Sequence, residues 1–485
     1  MGNETMIQFF EWHLPVDHKH WQRLQERAEE LAGLGITGVW IPPPTKGQTK
    51  DDVGYGVYDL WDLGEFNQKN TVATKYGTKE ELVNAINKCK EHGLQVYCDV
   101  VLNHKAAADE TEKFQAIEVD QEDRENEISE PHDIVAWTKF TFPGREDKYS
   151  AFKWNFNHFT GTDWDEESKR KGVFRIVGEN KSWAEGVDDE FGNYDYLMFA
   201  NIDYSHPDVQ EETKKWAVWV SKELQLSGFR IDAAKHIDGN FIYELMKHVR
   251  QELGNDKFYA VGEFWKSSIE AVDAHLENVN YSIDLFDVPL HYNLSEASNK
   301  GNEYDLRQLF DGTIVAKHPT HAVTFVDNHD SQPGESLESW VQDWFKSHAY
   351  AIILLRDQGY PCVFYGDMYG IGGEEPVPPK YDSIKQLLLA RKEYAIGETR
   401  DYWDHANTVG WVRMGQEDDK SKACAVVLTN GEAGEKRMEV GQDRAGQKWR
   451  DFLGNCEEEV VIEEDGWANF KVNDGSVSVW VPTEA

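Results

Sequence analysis

Short apolar runs alternate with longer stretches of helical period along most of the chain, the pattern of βα units feeding a parallel sheet. Met6 to Phe10 reads as the first strand and His20 to Leu31 as the helix behind it. Gly38-Val-Trp-Ile41 is the second strand, stopped by Pro42, Pro43 and Pro44, which cannot donate to a ladder. A helix from Lys79 to His92, closed by Gly93, leads to a third strand from Leu94 to Leu102. The rhythm then breaks. From Lys105 to Ser205 the chain is rich in charge, Trp, Asn and Gly and offers no helix long enough for a crossover, which is too much irregular chain for a loop. An inserted, irregular, β-rich domain is expected there.

The alternation returns with helix Asp208 to Gln225 and strand Gly228 to Ala233, then helix Phe241 to Leu253 and strand Phe258 to Phe264. A helical stretch near Ile269 to Leu276 precedes strand Tyr281 to Phe286, and strand Ala322 to Val326 follows Tyr304 to Phe310. Helix Trp344 to Leu355, strand Cys362 to Tyr365 and helix Ser383 to Tyr394 close the series at eight strands. Eight βα units favour a closed (β/α)8 TIM barrel over an open doubly wound sheet. Beyond Ala395 short β runs such as Ala423 to Leu428 and Val477 to Val481 are separated by Gly, Asn and Asp turns, an all-β appendage read as a small sandwich. The expected organisation is a barrel from 1–104 and 206–395, an inserted domain at 105–205 and a C-terminal β-sandwich at 396–485.

Composition narrows the partners. An apolar fraction of 40% with 13% aromatic residues suffices for a large core. Lys and Arg number 50 against 88 Asp and Glu, a net charge of −38, so the surface repels nucleic acid and anionic membranes. The five cysteines are scattered and form no CxxC pair, which argues against a disulfide framework or a zinc site. Cys98 and Cys362 fall inside apolar runs and read as buried thiols. No basic, apolar leader precedes Met6 and no run is long enough to cross a membrane, so a cytoplasmic monomer is expected. A mature form with its leader removed would read the same way.

In barrels of this kind reactive groups sit at the C-terminal ends of strands. Four such ends are dense in polar residues: Asp99-Val-Val-Leu-Asn103-His104, Gly228-Phe-Arg-Ile-Asp232-Ala-Ala-Lys-His236, Gly262-Glu263-Phe-Trp265 and Phe325-Val-Asp327-Asn-His329-Asp330. Arg230 and Asp232 share one face of their strand, and a neighbouring cation favours an ionised carboxylate. Glu263 is flanked by Phe264 and Trp265, and apolar surroundings raise a carboxyl pKa. Asp232, Glu263 and Asp330 on one rim, with His104, His329 and Arg230 beside them, form a candidate reaction centre. Paired carboxylates across a bond between sugars are what glycoside hydrolysis needs. Asp232 suits the nucleophile, Glu263 the proton donor, and Asp330 the group that holds hydroxyls and stabilises the positive transition state.

These four stretches resemble the signature motifs of the α-amylase family of glycoside hydrolases, and Asn193-Tyr-Asp195-Tyr-Leu-Met-Phe-Ala-Asn201-Ile-Asp203-Tyr resembles a fifth. The likeness runs from Met6 to the C-terminus and is nearest to liquefying bacterial members and their cytoplasmic relatives. It implies Asp232 as nucleophile, Glu263 as general acid and base and Asp330 as stabiliser. It further implies Arg230, His104 and His329 around the reacting sugar, Tyr58 as the platform beneath it, and Lys235, His236 and Trp265 among the substrate contacts. No organic cofactor is implied.

The resemblance also implies calcium, and here the chain departs from the pattern. Asn103, Asp195, Asn201 and the carbonyl of His236 match the principal site, with Asn201 standing where the relatives use Asp. At the positions of the calcium-sodium-calcium cluster Thr160, Ala184 and Ser205 replace expected ligands and Asp203 stands alone. Asn407 and Asn430 likewise replace acids of a further site. Hard cations want several converging oxygens. One possible calcium site and no cluster are expected. The leading functional reading is an endo-acting α-1,4-glucan hydrolase. The alternatives are a maltooligosaccharide-specialised hydrolase or transglycosylase, and a non-catalytic glucan-binding protein on the same fold.

Overall fold

The protein is described by a computed structural model covering residues 3–416 and 419–483; Met1, on which the reading of the chain's start rests, lies outside these. Eight parallel strands close a barrel: β1 (Met6–Gln8), β2 (Gly38–Ile41), β3 (Gln95–Val100), β4 (Gly228–Ile231), β5 (Tyr259–Gly262), β6 (Asp284–Phe286), β7 (Ala322–Phe325) and β8 (Tyr360–Phe364). They pair in chain order, and β8 returns to β1 with Cys362 beside Met6. The strands carry buried side chains such as Ile7, Val39, Phe229, Val261 and Val323. Cys98 and Cys362 are buried thiols, as their apolar context predicts.

The outer helices form where apolar positions recur at helical spacing. His20–Gly33 buries Trp21, Leu24, Ala28 and Leu31 against the barrel. Lys79–Glu91 opens on a capping box in which Thr78 and Glu81 satisfy each other's backbone N–H. One crossover helix, Val288–Lys300, is absent from the sequence reading. It carries Pro289 in its first turn and buries Ser295, Ala297 and Ser298, so its inner face shows little apolar contrast.

Between β3 and β4 lies a six-stranded antiparallel sheet, in spatial order His104–Lys105, Ala200–Ile202, Phe159–Asp165, Arg170–Ile176, Glu110–Val119 and His132–Lys139. It springs directly from His104, four residues past Val100 at the end of β3, and the chain re-enters the barrel through helix Pro207–Glu223. After the barrel a second six-stranded sheet and a two-stranded ribbon, Gly434–Glu439 with Trp467–Val472, enclose Trp449, Phe470 and Trp480. The segment before Asp203 contributes one wall of the cleft described next.

Candidate active site

The C-terminal rim of the barrel opens into a cleft of about 630 Å³. Its floor is built around one side chain. Arg230 on β4 is buried and points inward opposite Asp99 on β3, its register partner. Its guanidinium donates to Asp99 at 2.9 Å, to Asp232 Oδ1 at 2.6 Å and, through the other terminal nitrogen, to Glu263 Oε2 at 2.8 Å. The ring of Trp40 lies 4.9 Å from the same cation, and Trp40 and Tyr55 both donate to Asp99, at 3.0 and 2.8 Å. A planar fork is suited to spanning two carboxylates in fixed positions, which a lysine would not do.

The turn after β4 completes the arrangement. Ala233 adopts φ 49° and ψ 37°, a left-handed conformation costing a non-glycine residue about 1–2 kcal/mol. In that conformation its N–H donates to Glu263 Oε2 at 3.1 Å, while Asp232 faces the cleft. Gly262, which precedes Glu263, is needed for packing: a Cβ there would sit 2.8 Å from Ile283 Cδ1.

Asp330 joins the pair from the loop after β7, its carboxylate 3.3 Å from His329 Nε2. His329 is buried, bonded to Gln8 at 3.0 Å through Nδ1, and stacked on Tyr55 with ring centres 5.1 Å apart and planes 11° from parallel. Trp12 stacks on Tyr55 at 5.8 Å and 5°. Three near-parallel rings therefore line the cleft beside the carboxylates.

Burial dominates the electrostatics. It pushes Asp232 well up, with Arg230 opposing and Glu263 and Asp99 adding to the rise. Burial and the charge of Glu263 push Asp330 up to about 8. His104 and His236 are each lowered to about 4 by burial, and His329 falls well below its usual range, so all three are neutral at pH 7. The expected division, with Arg230 serving Asp232 and an apolar shell serving Glu263, is thus replaced by one guanidinium shared between them.

Asp232, Glu263, Asp330, His104, Lys235, His236, Trp265 and His329 all line the cleft, and Arg230 lies beneath its floor. Lys235 pairs with Glu190, His236 Nδ1 bonds to the carbonyl of Tyr194 at 2.7 Å, and Trp265 donates to Tyr292 at 2.7 Å. Tyr58 is the exception. It is buried away from the cleft on the strand Val57–Asp59, its hydroxyl donating to Asp109 at 2.8 Å and its ring packed on Phe142. The tyrosine of this Gly-Tyr-Gly-Val-Tyr stretch that lines the cleft is Tyr55, three residues earlier. Asp99 and Tyr55 are the residues the sequence reading leaves without roles. An acid inside a barrel strand was the available signal for the first.

The residues matching the principal calcium site are neighbours. Asn103 Nδ2 donates to Asn201 Oδ1 at 3.1 Å and Asn201 Nδ2 to Thr160 Oγ1 at 2.8 Å. Asp195 is buried beside Thr160 and Asn201, its Oδ2 without a hydrogen-bond partner, and burial raises its pKa to about 7. A buried carboxylate oxygen without a hydrogen-bond partner, beside the side chain of Asn201, fits a hard cation at this one point. At the cluster positions the fit fails, and Asp203 is not alone as expected but paired with Lys181.

The family description "Alpha amylase, catalytic domain" matches residues 20–437 and "Alpha-amylase C-terminal" matches 425–481. The chain is 52% identical over 481 residues to an alpha-amylase of Bacillus licheniformis, covering 99% of this chain and 93% of that one. It is 51% identical over 480 residues to the glucan 1,4-alpha-maltohexaosidase of Bacillus sp. (strain 707), covering 99% and 92%. To the cytoplasmic alpha-amylase of Escherichia coli (strain K12) it is 43% identical over 496 residues, covering both chains fully. The alpha-amylase of Geobacillus thermoleovorans, solved with acarbose, shares the fold at a TM-score of 0.66 and 17% identity, covering 100% of this chain and 98% of that one. With a closed barrel, a carboxylate triad on its C-terminal rim and matches of this extent, the chain belongs to the alpha-amylase family of glycoside hydrolases.

Proposed function

We propose that the chain cleaves α-1,4-glucosidic bonds within starch, glycogen and maltooligosaccharides, with net retention, using Asp232, Glu263 and Asp330. The observation that carries this reading is the single Arg230 guanidinium bonded to both Asp232 and Glu263 at the floor of the cleft. Two carboxylates bonded to one guanidinium lie close together, as a covalent glycosyl intermediate in a retaining enzyme requires. Asp232 attacks the anomeric carbon. Glu263 protonates the departing glycosidic oxygen and then takes a proton from the water that releases the sugar. Asp330 binds hydroxyls of the reacting ring and offsets the positive charge of the transition state.

Tyr55, stacked with His329 and Trp12, offers the reacting ring a flat apolar face. His104 and His329 contact its hydroxyls as neutral donors, and Lys235, His236 and Trp265 meet the leaving-group side. Replacing Glu263 with Gln is expected to abolish starch hydrolysis while leaving the thermal transition intact; unchanged turnover refutes the assignment. A maltooligosaccharide-specialised hydrolase is the second reading, favoured by the 51% identity to a protein named for maltohexaose release. Product sizes from soluble starch over time separate the two.

We read the chain as a barrel at 1–104 and 206–395, an inserted unit at 105–205 and a C-terminal unit at 396–485. We read it as a monomer that works in the cytoplasm, the latter supported by free cysteines and by the relative named cytoplasmic. At most one calcium binds, at Asp195 with the amide oxygens of Asn103 and Asn201 and the carbonyl of His236. Such an ion would tie the inserted sheet to the barrel and take no part in the chemistry.

A further inference from the structure

Lys181 lies in the irregular segment between strands Arg170–Ile176 and Ala200–Ile202, a segment that supplies Glu190, Tyr194 and Met198 to the cleft wall. Its side chain is 7% exposed, and that of Asp203 is 4% exposed. The ammonium bonds to the Asp203 carboxylate, to the carbonyl of Asn157 and to that of Phe159 at 3.2 Å. The other oxygen of Asp203 accepts from Ser205 N–H at 2.9 Å and Ser205 Oγ at 2.5 Å. One carboxylate and two carbonyls converging on a buried cation are the ligand set of a metal ion, here met by an ammonium with three donors.

We propose that Lys181 is a built-in cation that occupies the place of a metal cluster and holds the cleft wall against the inserted sheet. At this point an ammonium already fills the centre, and Thr160, Ala184 and Ser205 add no carboxylate to Asp203. The same exchange recurs at the C-terminal unit. Asn430 Nδ2 donates to the carbonyls of Gly301 and Tyr304, each at 2.9 Å, and Asn407 Nδ2 to the carbonyl of Asn302 at 2.8 Å. Carbonyls that could ligate a cation there are satisfied by amide N–H groups of the chain itself. Lys181 is a positioning residue: it reaches no substrate, but it anchors the segment whose side chains do.

The inference deepens the single-calcium reading above, and its test separates the two. Lys181→Met, which keeps the stem and removes the charge, is expected to lower Tm by several degrees equally in chelator and in millimolar calcium, and to raise KM for starch more than it lowers kcat. Lys181→Ser, which empties the cage, is expected to lose stability that millimolar calcium does not restore. A Tm for Lys181→Met equal to that of the unaltered enzyme overturns the proposal. Titration calorimetry of the chelated unaltered enzyme decides the matter even if both variants fail to fold: two or more tight calcium sites overturn the proposal, and none or one supports it. A single site that persists in Asp195→Asn refutes the calcium assignment alone.

Discussion

Tyr55 and Tyr58 stand three residues apart, and the structure gives them opposite duties. Tyr55→Ala removes a ring stacked on His329 at 5.1 Å and on Trp12 at 5.8 Å. Aromatic pairs of this kind are worth about 0.5–1.5 kcal/mol each, so the platform loses about 1–3 kcal/mol of alignment. Expressed in transition-state binding, that is a fall in kcat/KM of about 5- to 140-fold, at about 1.4 kcal/mol per factor of ten. Tyr58→Phe removes only the hydroxyl that meets Asp109, a carboxylate still bonded to the backbone N–H groups of Thr141 and Phe142. It should cost about 1 kcal/mol of stability and leave kcat/KM unchanged. Initial rates on a chromogenic maltooligosaccharide, paired with thermal melts, measure both. A large loss of kcat/KM in Tyr58→Phe with none in Tyr55→Ala would refute the placement of the platform.

Two further outcomes follow from the buried charges. Asp99→Asn removes a negative charge that raises Asp232, so the acid limb of the kcat/KM profile should move to lower pH. Because it also breaks a buried ion pair with Arg230, stability should fall by about 3–5 kcal/mol; a limb that stays fixed or moves up contradicts the shared-guanidinium account. Asp287, Asp195 and Asp330 have folded pKa values raised to about 6, 7 and 8, above their unfolded values near 4. Between those limits the folded state holds more protons than the unfolded chain, so stability is full at low pH and declines as pH rises through 6 to 8. Thermal melts should show Tm falling from pH 5.5 to pH 8.5, to a smaller degree in Asp330→Asn; a rising Tm contradicts it.

Much of the architecture is legible because βα alternation and strand-end chemistry are local signals. The eight strands emerge from apolar runs bounded by Gly and Pro, and Asp232, Glu263 and Asp330 from polar residues where such runs end. Helix Val288–Lys300 escapes because its buried face mixes His291, Ser295 and Ser298 with Leu290 and Leu294, which blurs the apolar stripe. Tyr55 escapes because two tyrosines in one short stretch differ only in which way the backbone turns them. The pairing of Lys181 with Asp203 joins residues 22 positions apart across irregular chain, where no periodicity indicates what meets what. The shared role of Arg230 is likewise invisible along the chain, since it depends on β4 and β5 lying side by side.

The central claim is that Asp232 and Glu263 act from opposite sides of one glycosidic bond through a covalent intermediate. Proton NMR of the first product formed from a maltooligosaccharide, recorded before mutarotation, tests it most directly. The account predicts that the new reducing end appears as the α-anomer, and first appearance of the β-anomer would contradict it.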